Sequence, residues 1–261
     1  MANRELRAHW PEYLMEAWGL GTFMLMAGVC VTLLEAAGSP LREWLPNADA
    51  RRALVGLAMG LTAVGIIYSP WGRRSGAHIN PAVTLSFLRL GKIARTDALF
   101  YILAQFAGGT AGVLAAWALL GQRFAASPVS YVTTVPGPAG AGIAFAAEFA
   151  ISAGLMLAVL WFLNHARLAR FTGLAAGILV ATYITVEAPL SGMSMNPARS
   201  FASALPGAHW TALWLYFTAP VLGMLAAVEV YRRCSSTRPM CAKLDHPDNK
   251  PCIHCGQKGR S

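Results

Sequence analysis

The chain has 261 residues, of which 56% are apolar and 13% charged, and its mean hydropathy is +0.47. A soluble domain carries about twice that charged fraction, so the composition excludes an ordinary soluble enzyme and points to a polytopic membrane protein. The formal charge of +9 is dispersed among connecting segments and the tail, which argues for membrane topology and against a nucleic-acid partner.

Apolar spans are predicted at about 13–36, 53–70, 96–120, 142–163, 171–190 and 210–231, each near the roughly 20 residues that a helix needs to cross a bilayer. The first ten residues carry Arg4, Glu5, Arg7 and His9, and no small-residue cleavage site clearly follows, so the first span is read as retained. Between spans two and three stands Ser75-Gly76-Ala77-His78-Ile79-Asn80-Pro81-Ala82-Val83. Its echo between spans five and six is Ser191-Gly192-Met193-Ser194-Met195-Asn196-Pro197-Ala198-Arg199. Asn is a favoured N-cap and Pro suits the first helical position, so each copy starts a short helix. About ten mostly apolar residues follow each motif, too few to cross, which predicts re-entrant half-helices. Three crossings separate Asn80 from Asn196, an odd number, so the two copies enter from opposite faces. The predicted fold is all-α and membrane-embedded, with six transmembrane helices plus two re-entrant half-helices in an inverted internal repeat.

Glu16 opens span one and Glu148 opens span four, at corresponding places in the two halves. A carboxylate at that depth is costly and is expected to have a function; the alternative is a marker of a helix start near the headgroups. Glycines 56, 60, 108, 109, 112, 173 and 177 read as close helix crossings. If the N-terminus is inside, 16 of the 21 Lys and Arg residues lie on that side, so both termini are predicted to be cytoplasmic in the cell membrane.

With these motifs the chain resembles the major intrinsic protein family, the aquaporins and glycerol facilitators, over roughly residues 12 to 232, and its short loops resemble the bacterial type. The resemblance implies a channel and not an enzyme, with Glu16 and Glu148 accepting hydrogen bonds from the re-entrant loops. It also implies pore-lining carbonyls at Gly76, Ala77, His78, Ile79, Gly192, Met193, Ser194 and Met195. Opposed half-helix ends at Asn80-Pro81-Ala82 and Asn196-Pro197-Ala198 would repel protons and cations, with the two Asn amides donating into the pathway. Arg199 is implied as the charged member of an outer filter, with Met59, Ile184 and Met193 as its other members and Tyr183 as the alternative to Ile184. This filter lacks the aromatic and histidine of the strict water-channel pattern and the aromatic pair of glycerol facilitators, and flexible Met side chains suit a wider path. Ser200 and Ala204 depart from the glycerol-facilitator pattern, whereas Tyr216 and Phe217 before Pro220 fit water channels. The implied permeant is therefore water, with glycerol, urea or another small uncharged solute as the alternative. The resemblance further implies a homotetramer. A coupled transporter would need a titratable chain, and the spans offer only Glu35, Glu187 and Glu229 near their ends besides the two motif glutamates. A closed structural protein fits poorly with two intact motifs and Arg199.

The domain reading is a cytoplasmic N-terminus at 1–12, a channel at 13–232 with repeats at about 13–120 and 142–231, and a polar tail at 233–261. Cys30 within span one reads as packing. The tail holds Cys234, Cys241, Cys252 and Cys255 with His246 and His254 nearby, and Cys252-Ile253-His254-Cys255 has the spacing of a zinc knuckle or a redox pair. It has no hydrophobic core of its own, so disorder without metal is the favoured expectation. The alternative is a small tetrahedral zinc site using, for example, Cys241, His246, Cys252 and Cys255, and the Cys cluster also offers a metal- or redox-gated channel. No other cofactor is expected.

Overall fold

The computed structural model describes residues 2–235, 241–246 and 252–256, with side chains from residue 7 onward. Eight helices carry the architecture: α1 (Ala2–Glu35), α2 (Ala48–Tyr68), α3 (Pro81–Arg89), α4 (Arg95–Leu120), α5 (Gly140–Leu163), α6 (Thr172–Val186), α7 (Pro197–Ala204) and α8 (Leu213–Cys234). Among the described residues there is no strand, and six helices are long and apolar enough to cross a membrane. The first helix begins well before the expected span, because Pro11 is tolerated inside it. α6, the fifth of the spanning helices, stops at Val186, short of the expected residue 190. Pro189, which has no N–H to donate, sits in the first turn of a separate short helix, Ala188–Ser191.

The half-helices start as the motifs predict. Asn80 and Asn196 are both extended, with φ of −156° and −148°. Their side chains accept from the N–H of Ala82 and from those of Ala198 and Arg199, and Pro follows in each case. α3 and α7 have 9 and 8 residues, far short of a bilayer's width.

Packing reproduces the repeat. Within each half the first helix pairs with the last, α1 with α4 and α5 with α8, while α2 and α6 pair across the halves. The close approaches rest on missing side chains: a Cβ on Gly108 would lie 2.1 Å from the Ala17 carbonyl oxygen, and one on Gly60 2.5 Å from that of Gly177. Each half-helix also reaches into the other half, α3 against α8 and α7 against α4. The N-terminal part of α1, the ends of α3 and α8 and the start of α4 gather on one side, joined by Arg74–Glu12 (2.8 Å), His9–Asp97 (2.8 Å) and Arg89–Glu229 (2.7 Å). Inside are Leu20, Met24, Phe87, Tyr101, Met156, Leu160 and Tyr216, all fully buried, whereas Leu57, Leu61, Leu99, Leu103, Ile178 and Leu222 face outward. An outward belt of large aliphatics suits lipid and not water.

Candidate functional site

A cavity of about 510 Å³ runs through the centre of the helices. Glu35, Ala48 and Arg52 line one end; Asn80, Asn196 and Arg199 line its length; His78, Ile67 and Leu244 line the other end. Met59, Ile184 and Met193 face it, as do Ala77, Ile79, Gly192, Ser194 and Met195, whereas Gly76 does not. Tyr183 stays out of the cavity and points its hydroxyl at α5, where a Cβ on Gly154 would lie 2.6 Å away.

Two loops lead into the half-helices, and both are wound in the same unusual way. Ala77 and Ile79 in the first, and Met193 and Met195 in the second, have φ between 41° and 53°, in the left-handed region. Such residues cost of order 1–3 kcal/mol each and persist only where the surroundings fix them. Glu16 and Glu148 fix them here. The fully buried Glu16 carboxylate accepts from the His78 N–H (3.0 Å), the Ile79 N–H (2.6 Å), the Ser75 hydroxyl (2.7 Å) and the Gln105 amide (2.9 Å). Glu148 repeats the pattern with the Ser194 N–H (2.6 Å), the Met195 N–H (2.7 Å) and the Ser191 hydroxyl (2.7 Å).

The two asparagines then brace one another. The Asn80 Nδ2 donates to the Met195 carbonyl (2.7 Å) and the Asn196 Nδ2 to the Ile79 carbonyl (2.8 Å). Each amide group has two hydrogens, so each keeps one for the cavity that both asparagines line. With Oδ1 capping the half-helix and one N–H committed to the opposite loop, the remaining N–H has a fixed direction. Arg199, in the first turn of α7, donates from Nη1 to the Val132 carbonyl (2.9 Å), which holds the guanidinium across the cavity beside Met193. Ser200 bridges Ser194 (2.6 Å) and Thr134 (2.7 Å) and ties the second loop to the segment before α5.

Several supporting residues escape a reading of the sequence. The Tyr101 hydroxyl donates to the Ser75 carbonyl (2.7 Å) and the Tyr216 hydroxyl to the Ser191 carbonyl (2.5 Å), so each loop is also held from the last helix of its own half. The two tyrosines follow Asn80 and Asn196 by 21 and 20 residues, a near-repeat that could have revealed them. Gln105 and Val132 left no such signal.

The described part of the tail does not float free. It packs on the first loop: Ala242 is fully buried and Leu244 nearly so. The expectation of disorder rested on the tail's lack of a core, and these residues borrow the channel's core instead. Donor atoms of Cys241, His246, Cys252 and Cys255 all lie within 4.8 Å of one another. The Cys241 thiol hydrogen-bonds Cys252 and, with the backbone N–H groups of Cys255 and His254 and the Lys243 charge, holds the Cys252 thiol well below the usual range; burial opposes this. The same contact pushes the Cys241 thiol up.

The family described as Major intrinsic protein matches residues 6–231. Among curated proteins, the chain is 33% identical over 235 residues to a "Probable aquaporin NIP7-1" of Arabidopsis thaliana, covering 88% of this chain and 79% of that one. It is 35% identical to a "Probable aquaporin NIP-type" of Nicotiana alata, over 68% of this chain and 64% of that one. It is 32% identical to "Aquaporin NIP1-1" of Arabidopsis thaliana, over 81% and 70%. Among solved structures, the aquaglyceroporin from Plasmodium falciparum superposes with a TM-score of 0.68 at 20% identity, over 87% of this chain and 96% of that one.

Proposed function

Because the chain belongs to the major intrinsic protein family of membrane channels, we propose that its central cavity is a passive pathway for water that excludes ions and protons. The observation that carries this reading is the pair of cross-braced asparagines at the meeting point of two half-helix N-termini. Two N–H donors of fixed direction, and little else that is polar, are offered to a solute at the place where two positive helix ends converge. A neutral molecule that can turn and accept there passes; a cation meets the same field as a barrier.

In this proposal Arg199, Met59, Ile184 and Met193 form the filter, the left-handed legs before Asn80 and Asn196 supply acceptor carbonyls, and Glu16 and Glu148 hold those legs. The channel comprises residues 13–232 in two repeats, both termini face the cytoplasm, and four copies assemble with one pathway in each. The positive-inside count supports the orientation. The pathway needs no cofactor.

A second reading, a facilitator of glycerol or another small uncharged solute, is favoured by one observation. Apart from Arg199, the proposed filter side chains are two methionines and one isoleucine, which offer a solute no polar contact and adapt in shape. Stopped-flow light scattering on proteoliposomes, with an impermeant osmolyte in one arm and glycerol in the other, separates the two. Rapid shrinkage with no glycerol re-entry supports a water pathway. Rapid re-swelling in glycerol supports the second reading, and rates equal to those of protein-free vesicles refute both.

A further inference from the structure

We propose that the C-terminal tail is a metal-operated plug: Cys241, His246, Cys252 and Cys255 bind one zinc-class ion, and the bound ion holds Leu244 in the mouth of the pathway on the side of the termini. This inference rests on the channel reading above for its consequence but not for the site itself.

The four donors lie close enough together to share one tetrahedral ion. With Zn–S bonds of about 2.3 Å and a Zn–N bond of about 2.0–2.1 Å, the edges of an S3N tetrahedron are about 3.8 Å between sulfurs and about 3.5 Å between sulfur and nitrogen. The Cys241 and Cys252 Sγ atoms are 3.4 Å apart, the His246 Nε2 and Cys255 Sγ atoms are 3.3 Å apart, and no pair exceeds 4.8 Å. All the cysteines are free thiols, and 3.4 Å is far beyond a disulfide bond. Cys252 and Cys255 bracket a turn closed by the Gly256 N–H on the Cys252 carbonyl (3.1 Å), with Gly256 at φ +68°.

The ligands are arranged as a clip around the docking contacts. Cys241 and His246 bracket the four residues Ala242–Asp245. Within them the Ala242 carbonyl faces His78 Nε2 (2.7 Å), the Leu244 N–H donates to the Gly76 carbonyl (3.2 Å), and Asp245 pairs with Arg73 (2.7 Å). Cys252 and Cys255 bracket His254, whose Nε2 lies 3.0 Å from the Ser75 carbonyl and whose ring stacks on His78 at 6.0 Å. One ion therefore fixes both ends of both docking segments, while the Leu244 side chain lines the cavity beyond His78. Without it the segments must hold the mouth by those few contacts alone. If the ion binds only the docked tail, then at a hundred times its Kd the docked-to-undocked ratio rises about 100-fold.

The test uses the full-length protein under a phosphine reductant. Cobalt(II) titration of the metal-free protein in detergent is expected to give thiolate charge-transfer and tetrahedral d–d absorption at one equivalent, displaced by zinc. In proteoliposomes with zinc buffered on both sides, water permeability is expected to fall about tenfold or more against a chelator control. Cys252→Ser is expected to lose both the absorption and the zinc response. Leu244→Gly, which keeps all four ligands, is expected to keep the absorption and lose the response. Absence of the cobalt bands, or a Cys252→Ser protein that still shows them, overturns the site. Normal cobalt binding with equal permeability in zinc and chelator overturns the plug. If neither the metal-free wild type nor Leu244→Gly conducts above protein-free vesicles, the channel reading and the plug both fall, and the cobalt spectrum still decides the site.

Discussion

Glu148 is the residue at which the cost of undoing the second loop can be counted bond by bond. Its Oε1 takes the Ser191 hydroxyl and the Ser194 N–H, and its Oε2 takes the Met195 N–H. In Glu148→Ala both backbone N–H groups lose their acceptor in a buried site, whereas the Ser191 hydroxyl can rotate. Hydrogen bonds to a charged group contribute about 1.5–3 kcal/mol each, so the loss is about 4 kcal/mol. In Glu148→Gln the remaining carbonyl oxygen can keep the Ser191 and Ser194 contacts. The new amide nitrogen then faces the Met195 N–H, which leaves one bond broken and a loss of about 2 kcal/mol. For a chain of this length 1 kcal/mol moves the midpoint by about 2–4 °C. Thermal unfolding in detergent is therefore expected to fall by about 8–16 °C for Ala and about 4–8 °C for Gln. Water permeability should fall in the same order, because Met193 and Met195 no longer hold their left-handed conformation. A Gln variant less stable than the Ala variant, or an Ala variant that unfolds with the wild type, would refute the assignment of those bonds as the loop's anchor.

Tyr101→Phe and Tyr216→Phe each remove one hydrogen bond to a loop carbonyl and should each cost about 1 kcal/mol, read as a midpoint lowered by about 2–4 °C in the same assay. Gly108→Ala puts a methyl carbon 2.1 Å from the Ala17 carbonyl oxygen and should destabilise by about 3 kcal/mol. Gly142→Ala, with nothing within 4 Å, should be neutral or stabilising by up to about 1 kcal/mol, and the two are compared by monodispersity and midpoint. Arg199→Val takes away the one charged group of the proposed filter; glycerol re-swelling should rise by about tenfold, equivalent to ~1.4 kcal/mol off the barrier, and an unchanged rate would remove Arg199 from that filter.

The features legible in the sequence are those written locally or twice. Asn-Pro at two places reports its own capping geometry, and a duplicated motif across an odd number of crossings dictates inversion, so the half-helices follow from a few residues. Glu16 and Glu148 stand out because a carboxylate in an apolar span is expensive. What could not be read depends on partners set by the finished fold. The bond from Asn80 to the Met195 carbonyl joins atoms 115 residues apart, and no local pattern encodes it. Tyr101 and Tyr216 look like ordinary aromatic residues of apolar helices until their hydroxyls are seen on Ser75 and Ser191. The docking of residues 241–246 is hidden in the sequence for the same reason: Leu244 and Ala242 are too few to make a core, and only the first loop shows what they cover.

The exchange of half-helices between repeats also bears on how the chain is made. α3 is complete early in synthesis, yet its packing partner α8 and the carbonyl that orients Asn80 belong to the last third of the sequence. At about 5–20 residues per second the ribosome reaches α8 on the order of 10 s after α3. Throughout that interval a short helix with unspent polar ends must wait at membrane depth for the second repeat. A nascent chain stalled between α4 and α5 would therefore hold its first loop by Glu16, Gln105 and Tyr101 alone, with Asn80 unbraced, the state in which a quality-control protease or an insertion chaperone could distinguish an unfinished molecule from a finished one.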